Sequence, residues 1–504
     1  MSQTLFQKYP LSVTNSLSRK KEIFEPIHPP RVGMYLCGPT MYGDPHLGHA
    51  RSAINFDVIF RYLLHLGYKV RFVRNITDVG HLEDEVAGAG EDKVSKKARL
   101  EKLEPMEIVQ MYTYRYHEAV RQLNVLPPSI EPTASGHIIE QIEVIQSIIK
   151  HGFGYEVNGS IYFDLEKYAK DQPYGIISGK VLEDLQSGSR QTEGLSEKRS
   201  PHDFALWKKA SPEHIMRWDS PWGEGFPGWH LECTTMSTKY LGETFDIHGG
   251  GLDLQFPHHE AEIAQSYGAY HKHPANYWIH HNLVTIDGQK MSKSLGNFIT
   301  LEQLFTGDHP LLEQAYSPMT LRFFVLQAHY RSPIDFSNGA LQAAEKGLSR
   351  LTNALDILAK LNHQPAEVNT ELDDEINQLI DQCYQQMSDD FNTAKLIAVL
   401  FDLSAKINAF HNQQLSLGSI SASTFKNMTS TFQVMMLEVL GIKPEKSDDT
   451  QQKDGLIQLL IDIRNKARSN KDFATSDQIR DQLITLGVQL KDEKSGNTSY
   501  SIVN

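Results

Sequence analysis

With 504 residues, 40% hydrophobic and 22% charged, the chain has the balance of a globular protein and the length of two to four domains, which excludes fibrous and disordered classes. A formal net charge of −13 argues against an extended polyanion groove, though not against a local basic patch. Three cysteines, Cys37, Cys233 and Cys383, are too few and too odd in number for a disulfide framework, so any that matter act as thiolates. The start "MSQTLFQKYPLSV" has no signal-peptide pattern, and no segment offers ~18 uninterrupted apolar residues, so a cytoplasmic protein with no membrane contact is expected.

From residue 31, "RVGMYLCGP" reads as a strand followed by a turn. Residues 47–68 then place Ile54, Val58, Ile59, Tyr62 and Leu63 at helical spacing, and "KVRFVRNI" alternates like a second strand. This is a β-α-β unit, whose ligands bind past the carboxyl ends of the strands. Residues 82–106 are dense in charge and read as a solvated insertion. Helical patterns over 107–151 lead into a hairpin, "GFGYEVNGSIYFDLEKY", within an inserted module whose polar stretch 186–202 reads as a loop. Strand and helix alternate again through "PGWHLECTTMSTKYLG" and "FDIHGGGLDLQFPHHEAEIAQSYGAY", with Cys37 and Cys233 each closing a strand-like run. After about residue 345 long amphipathic helices predict a bundle. A polar linker, "KPEKSDDTQQKDG", precedes a last segment whose Arg464, Lys466, Arg468, Lys471 and Arg480 form the local basic patch. The predicted fold is α/β: a Rossmann-like doubly wound parallel sheet with an inserted module, followed by an α-helical bundle and a small C-terminal domain.

Four clusters carry chemistry. In "PHLGH", Pro45 suits a helix start, whose outward amides and positive dipole end attract an anion. His46 and His49 share one face of that first turn and can donate to phosphate oxygens, while Gly48 lets a flat group approach; a capped turn with one exposed histidine is the plain alternative. In "GQKMSKSLGN", Lys290 and Lys293 flank a glycine-bounded loop suited to gripping polyphosphate, where ordinary solvated lysines are the alternative. His258 and Glu262 are four apart on one helix face, and together with Cys37 and Cys233 they would satisfy tetrahedral zinc; two structural cysteines and a surface helix explain the spacing equally well. In "IHGGGLD", Gly249, Gly250 and Gly251 let backbone lie against a base or ribose, and Asp253 can accept from ribose hydroxyls, but a tight turn would look the same.

The combination of "HLGH", "KMSKS", "GWHLEC", "DIHGGGLDL" and "FPHHEAEIAQS" closely resembles the class I cysteinyl-tRNA synthetases, from about residue 22 to the end. The resemblance implies ATP-dependent ligation of L-cysteine to tRNA(Cys) through a cysteinyl-adenylate, by a monomer. Cys37, Cys233, His258 and Glu262 match the ligands of one Zn²⁺ per chain. Gly38, Thr77 and Trp229 match the amino-acid pocket, and Mg²⁺ is implied with ATP. His46, His49, Lys290 and Lys293 match the catalytic motifs. Pro39, Gly48, Gly249, Gly250, Gly251 and Asp253, with His46, His49 and Lys293, match the ATP site. The implied domains are a catalytic domain in two halves (22–125 and 226–284) around a connective module (126–225). A KMSKS and stem-contact region (285–345), an anticodon-stem bundle (346–445) and an anticodon-recognition domain (446–504) follow. Leu47 in "HLGH" is a mild departure, and the run "VGHLEDEVAGAGED" after Asp78 is a larger one, which leaves the pocket wall beyond Asp78 unassigned. A cysteine:amino-sugar ligase of related fold and a non-catalytic RNA-binding paralogue are the rival readings.

Overall fold

The structure is a computed structural model that describes residues 4–79, 82–84, 89–180, 197–212, 214–292, 295–444, 448–492 and 498–502. After a short helix, Leu5–Lys8, and a hairpin of strands Ser12–Asn15 and Lys20–Ile23 comes the β-α-β unit: strand β1 (Arg31–Leu36), helix α1 (Leu47–Leu66) and strand β2 (Lys69–Arg74). The two strands pair in parallel, Met34 opposite Phe72 and Leu36 opposite Arg74. Helix α2 (Trp229–Leu241) leads to strand β3 (Phe245–Gly251), and helix α3 (Glu260–Tyr270) to strand β4 (Ala275–His281). The result is a four-stranded parallel sheet in the order β4-β3-β1-β2. Every residue of β3 is buried, as expected for an inner strand covered on both faces.

The long connection between β2 and α2 carries secondary structure of its own and packs against the central sheet and its helices. Strands 82–84 and 89–92 pair as a hairpin, followed by a helix, Lys93–Glu101, capped by Asp92, whose carboxylate accepts from the Ser95 amide at 2.9 Å. The expectation of a solvated insertion is corrected here: Val94 and Ala98, four apart, form a buried stripe beneath the charged outer face. Residues 85–88 of that insertion lie outside the described residues. The connective module carries an antiparallel sheet of strands 225–227, 204–209, 160–163 and 154–157, in that order. Its predicted hairpin turns on Asn158 and Gly159, both at positive φ, the backbone that a two-residue hairpin turn demands. Residues 186–196 of the predicted loop are outside the described set.

A second correction concerns Cys233. It sits in the second turn of α2 and closes no strand; residues 230–237 are all buried, and a short helix hidden on every side loses the periodicity that separates helix from strand.

Beyond β4 comes a small sheet of strands Val284–Ile286, Gln289–Lys290 and Ile334–Phe336. The helices follow as α4 (Pro318–Leu326), α5 (Asn338–Leu358), α6 (Thr370–Ser388), α7 (Thr393–His411) and α8 (Ala422–Gln433). Ile54, Tyr62 and Leu63 of α1 share one apolar core with Leu351 of α5, Ile376 of α6 and Leu403 of α7, so the bundle packs directly behind the helix that begins at "HLGH".

The chain divides into two compact units, Met1–Lys443 and Pro444–Asn504. The second contains α9 (Asp448–Ser469), α10 (Phe473–Thr485) and the antiparallel strands Val488–Asp492 and Thr498–Ile502 around Ile457, Ile461, Leu483 and Val488. The helix therefore starts inside the predicted linker. In the basic patch Arg464 is buried and Arg480 is ion-paired with Asp477 and Asp481, each at 3.1 Å, while Lys466, Arg468 and Lys471 are exposed.

Candidate active site

A cavity of about 530 Å³ opens past the carboxyl ends of the strands. Cys37, Gly38 and Pro39 line it beyond β1, Gly251 and Asp253 at the end of β3, and His46, Gly48 and His49 at the start of α1. Trp229 and Lys290 are also on its wall. Thr77 is not: it is buried behind the wall, its hydroxyl donating to Glu232 Oε2 at 2.9 Å. Burial holds the Glu232 carboxyl well above the usual carboxylate range, with the nearby Asp78 adding to the shift.

Gly38 has a strict reason to be glycine, because a Cβ there would lie 1.6 Å from the Asn75 carbonyl oxygen; its amide donates to Asn75 Oδ1 at 2.8 Å. Packing alone requires glycine at positions 249 and 250. A Cβ on Gly249 would lie 2.2 Å from the Phe56 ring, and one on Gly250 would lie 2.7 Å from the His259 ring. Only the third glycine reaches the cavity.

The four predicted metal ligands converge although 196 residues separate the two cysteines. Cys37 Sγ lies 3.4 Å from Cys233 Sγ and 3.6 Å from Glu262 Oε1; His258 Nε2 lies 3.4 Å from Cys233 Sγ and 3.3 Å from Glu262 Oε1. A zinc tetrahedron with arms of about 2.3 Å to sulfur and 2.0–2.1 Å to nitrogen or oxygen has edges of about 3.3–3.8 Å, which these separations fit. Burial pushes both thiols up, and at Cys37 the neighbouring Cys233 and Glu262 add to it. Two buried sulfurs and a carboxylate in van der Waals contact suit a dication that lets them ionise. A second set, Cys37, His248, His259 and Glu262, also converges. There the 2.8 Å separation of His248 Nε2 from Glu262 Oε2 is a hydrogen bond and too short for a tetrahedral edge, so His248 supports Glu262 from behind.

Sequence reasoning missed the rest of this histidine cluster. His230 Nδ1 lies 2.9 Å from His258 Nδ1, fixing the ring that turns Nε2 to the sulfurs. His259 Nε2 sits 3.5 Å from Cys37 Sγ, and its Nδ1 is 2.8 Å from His280 Nε2, which in turn has Ser16 Oγ 2.8 Å from its Nδ1. The signal was present as single histidines in "GWHLEC", "DIHGGG" and "WIHHN", each an unremarkable core residue when taken alone.

At α1, His46 is the N-cap itself, and Pro45 precedes it, outside the helix. His46 Nδ1 accepts from the Gly48 amide at 3.1 Å, and His49 Nδ1 accepts from the His46 amide at 3.4 Å. Both imidazoles therefore carry their proton on Nε2. Their rings stack at 3.8 Å, and burial lowers His49 to about 4, so it is a neutral donor at pH 7. The amide of Gly48 is taken by the cap.

Lys290 is exposed on its strand, whereas Lys293, with Ser294, lies outside the described residues. Asn297, 7% exposed, ties the two ends of that loop: its Nδ2 donates to the Lys290 carbonyl at 3.2 Å and its Oδ1 accepts from the Ser292 amide at 2.8 Å. Arg51, two residues beyond His49, lines the cavity and donates to the Leu283, Tyr330 and Ser332 carbonyls, which places α1 against the segment leading to Lys290.

The family model described as the class I (C) tRNA synthetase catalytic domain matches residues 23–346, and the DALR domain model matches residues 382–442. The cysteine-tRNA ligase of Bacteroides fragilis is 57% identical over 492 residues, covering 97% of this chain and 98% of that one. That of Cytophaga hutchinsonii is 60% identical over 489 residues, covering 96% and 98%. The chain belongs to the cysteine-tRNA ligase family. Like other cysteine-tRNA ligases it has the class I synthetase fold. A solved Mycobacterium tuberculosis methionyl-tRNA synthetase in complex with methionyl-adenylate superposes with a TM-score of 0.54 at 16% identity, over 82% of this chain and 90% of that one. A LeuRS from Agrobacterium radiobacter K84, in a ternary complex with tRNA, gives 0.57 at 12%, over 84% and 86%.

Proposed function

We propose that the chain joins L-cysteine to tRNA(Cys) by way of a cysteinyl-adenylate, with Zn²⁺ selecting the amino acid and Mg²⁺ accompanying ATP. The observation that carries this is the meeting of Cys37, Cys233, His258 and Glu262 at tetrahedral spacing beside a cavity that also presents His46, His49 and Lys290.

The selection problem is cysteine against serine, sulfur against oxygen. An apolar pocket separates so small a change by only about 1–3 kcal/mol. Cys37, Cys233, His258 and Glu262 would hold the ion. When bound, it supplies a borderline-soft Lewis acid that favours a deprotonated thiol over a hydroxyl. Trp229, with its ring centroid 4.2 Å from that of His258, walls the pocket there, and Gly38 keeps the opposite side free of a side chain.

Activation then needs positioning and charge stabilisation, with no protein nucleophile. An oxygen of the substrate carboxylate bonds to the α-phosphorus as the bond to the bridging oxygen breaks and pyrophosphate leaves. His46 and His49 donate through Nε2–H to phosphate oxygens, and Lys290 and Lys293 balance the charge gathering on the leaving group. Gly251 and Asp253 receive the ribose, and the Pro39 backbone borders the nucleotide. A terminal ribose hydroxyl of the tRNA next attacks the carbonyl carbon, and AMP departs. The bundle holds the anticodon stem and the C-terminal unit reads the anticodon, a local contact that an acidic protein can make. The DALR match and the nearly full-length relatives support this over the amino-sugar ligase, which has no use for either region. The enzyme acts as a cytoplasmic monomer in this reading; among the described residues no helix is long and apolar enough to cross a membrane.

The test is charging of a bulk tRNA pool with each amino acid in turn. Charging with cysteine alone supports the proposal. Cysteine-dependent pyrophosphate exchange without tRNA charging refutes the tRNA step, and no exchange at all refutes the chemistry.

A further inference from the structure

Away from the active site, a polar cavity of about 350 Å³ lies where three segments of the first unit meet: the hairpin of strands Ser12–Asn15 and Lys20–Ile23, the loop 329–332, and the turn between α6 and α7. Its floor is Asp390, 1% exposed. That carboxylate accepts from the Thr14 amide at 2.8 Å, the Thr14 hydroxyl at 2.7 Å, the Tyr330 hydroxyl at 2.7 Å and Arg331 Nε at 2.9 Å. Arg331 is the charged donor among these four, and His329 Nε2 lies 3.5 Å from Oδ2, so the carboxylate is ion-paired within the floor.

The rim is cationic. Arg331, anchored at Nε, is 46% exposed at its side chain; Lys21 is 45% and Lys395 is 61%. One partly exposed carboxylate, Asp389, faces these three cations: Lys21 pairs with it, and Lys395 Nζ lies 3.8 Å from its Oδ2. Asn392, the N-cap of α7, closes the side. Scattered exposed ion pairs contribute little to folding. Here three cations converge on one concave, hydrogen-bonded seat and outnumber its two carboxylates, Asp389 and Asp390, which leaves an excess of positive charge for an oxyanion with several acceptors.

We propose that this cavity, with Lys21, Arg331 and Lys395 around Asn392, seats a backbone phosphate of the RNA substrate. The inference rests on the tRNA reading above. It adds a contact between the catalytic half and the bundle. Arg331 supplies a fixed donor, while the two lysines exchange Asp389 for phosphate as the strand arrives.

The experiment uses the full-length protein and the variants Lys395→Ala, Lys395→Glu and Lys395→Arg. Pyrophosphate exchange without tRNA, the KM for tRNA across a potassium chloride series, and phosphate-ethylation interference are measured on each. Expected is a rise in KM for tRNA of about fivefold or more for Ala and more for Glu, with the salt slope reduced by about 1. Exchange stays within about twofold of wild type, the Arg variant behaves like wild type, and one ethylated phosphate that hinders wild type is indifferent in Lys395→Ala. Inorganic phosphate at matched ionic strength should raise the KM of wild type only slightly; strong competition by phosphate with no interfering RNA position would assign a free-anion site and overturn the proposal. An unchanged KM and salt slope, or a parallel fall in exchange and charging, overturns it as well. Wild-type charging tests the ligase reading; only the difference between wild type and variant tests the seat.

Discussion

Asp57, in the middle of α1, is the charge on which the catalytic helix and the bundle depend. Its Oδ2 receives Arg322 Nη2 of α4 at 2.5 Å and Arg61 Nε at 2.7 Å, and its Oδ1 receives the Leu126 amide at 2.8 Å. Arg322 has no exposed side-chain surface and also donates to the Leu440 carbonyl at 2.7 Å and the Leu123 carbonyl at 2.9 Å. Burial lowers its pKa, and Asp57 opposes that shift. Asp57→Asn therefore leaves a guanidinium buried without a counter-charge, an uncompensated burial that costs about 3–5 kcal/mol. At about 2.1 cal/mol/K of unfolding entropy per residue, a unit of this size melts about 3–5 °C lower. Scanning calorimetry of wild type and Asp57→Asn reads the shift, and the pair Asp57→Leu with Arg322→Met, which removes the fully buried pair and leaves Arg61 on the Glu438 and Asn124 carbonyls, should recover part of it. A single variant that melts within 1 °C of wild type, on the order of the smallest shift such a scan resolves, would refute the reasoning.

Acid should destabilise the protein through buried neutral histidines. His49 and His281 are each lowered to about 4 by burial, below the ordinary 6.5, so the unfolded chain binds their protons first and stability falls as pH drops from 6.5 towards 4. Between pH 7 and 5 the loss is about 2 kcal/mol for each, measured by denaturant titration, and a flat profile would contradict it. Lys293→Ala should cut the pyrophosphate-exchange rate about a hundredfold or more while leaving cysteine affinity nearly unchanged, and an unaltered rate would remove its assigned role. Deleting residues 446–504 should abolish charging and spare exchange, whereas equal loss of both would show that the unit serves folding.

The β-α-β frame was legible because a 3.6 period between two short apolar runs has few other solutions, and the parallel pairing of β1 with β2 follows it. The gathering of Cys37, Cys233, His258 and Glu262 was legible as one of two equal readings until the resemblance favoured it, since residues 196 positions apart carry no local signal of contact. Cys233 was misplaced on a strand because a helix buried all round has no polar face to mark it. His46 was read as a helical residue: histidine is an uncommon cap, and its pairing with the Gly48 amide appears only once the backbone is built. The glycines of "HGGG" read alike but differ in use, two making room for Phe56 and His259 and one reaching the cavity. In the basic patch Arg464 turns inward, and the acidic neighbours of Arg480 are helical partners that a charge count ignores.

The most direct measurement replaces the metal with Co²⁺, whose absorption reports sulfur coordination. Added cysteine should strengthen the sulfur-to-cobalt charge-transfer band of the purified protein, and added serine should leave it unchanged. Identical spectra with either amino acid, or a protein that takes up no metal while Cys37 and Cys233 are intact, would contradict selection through a bond to sulfur.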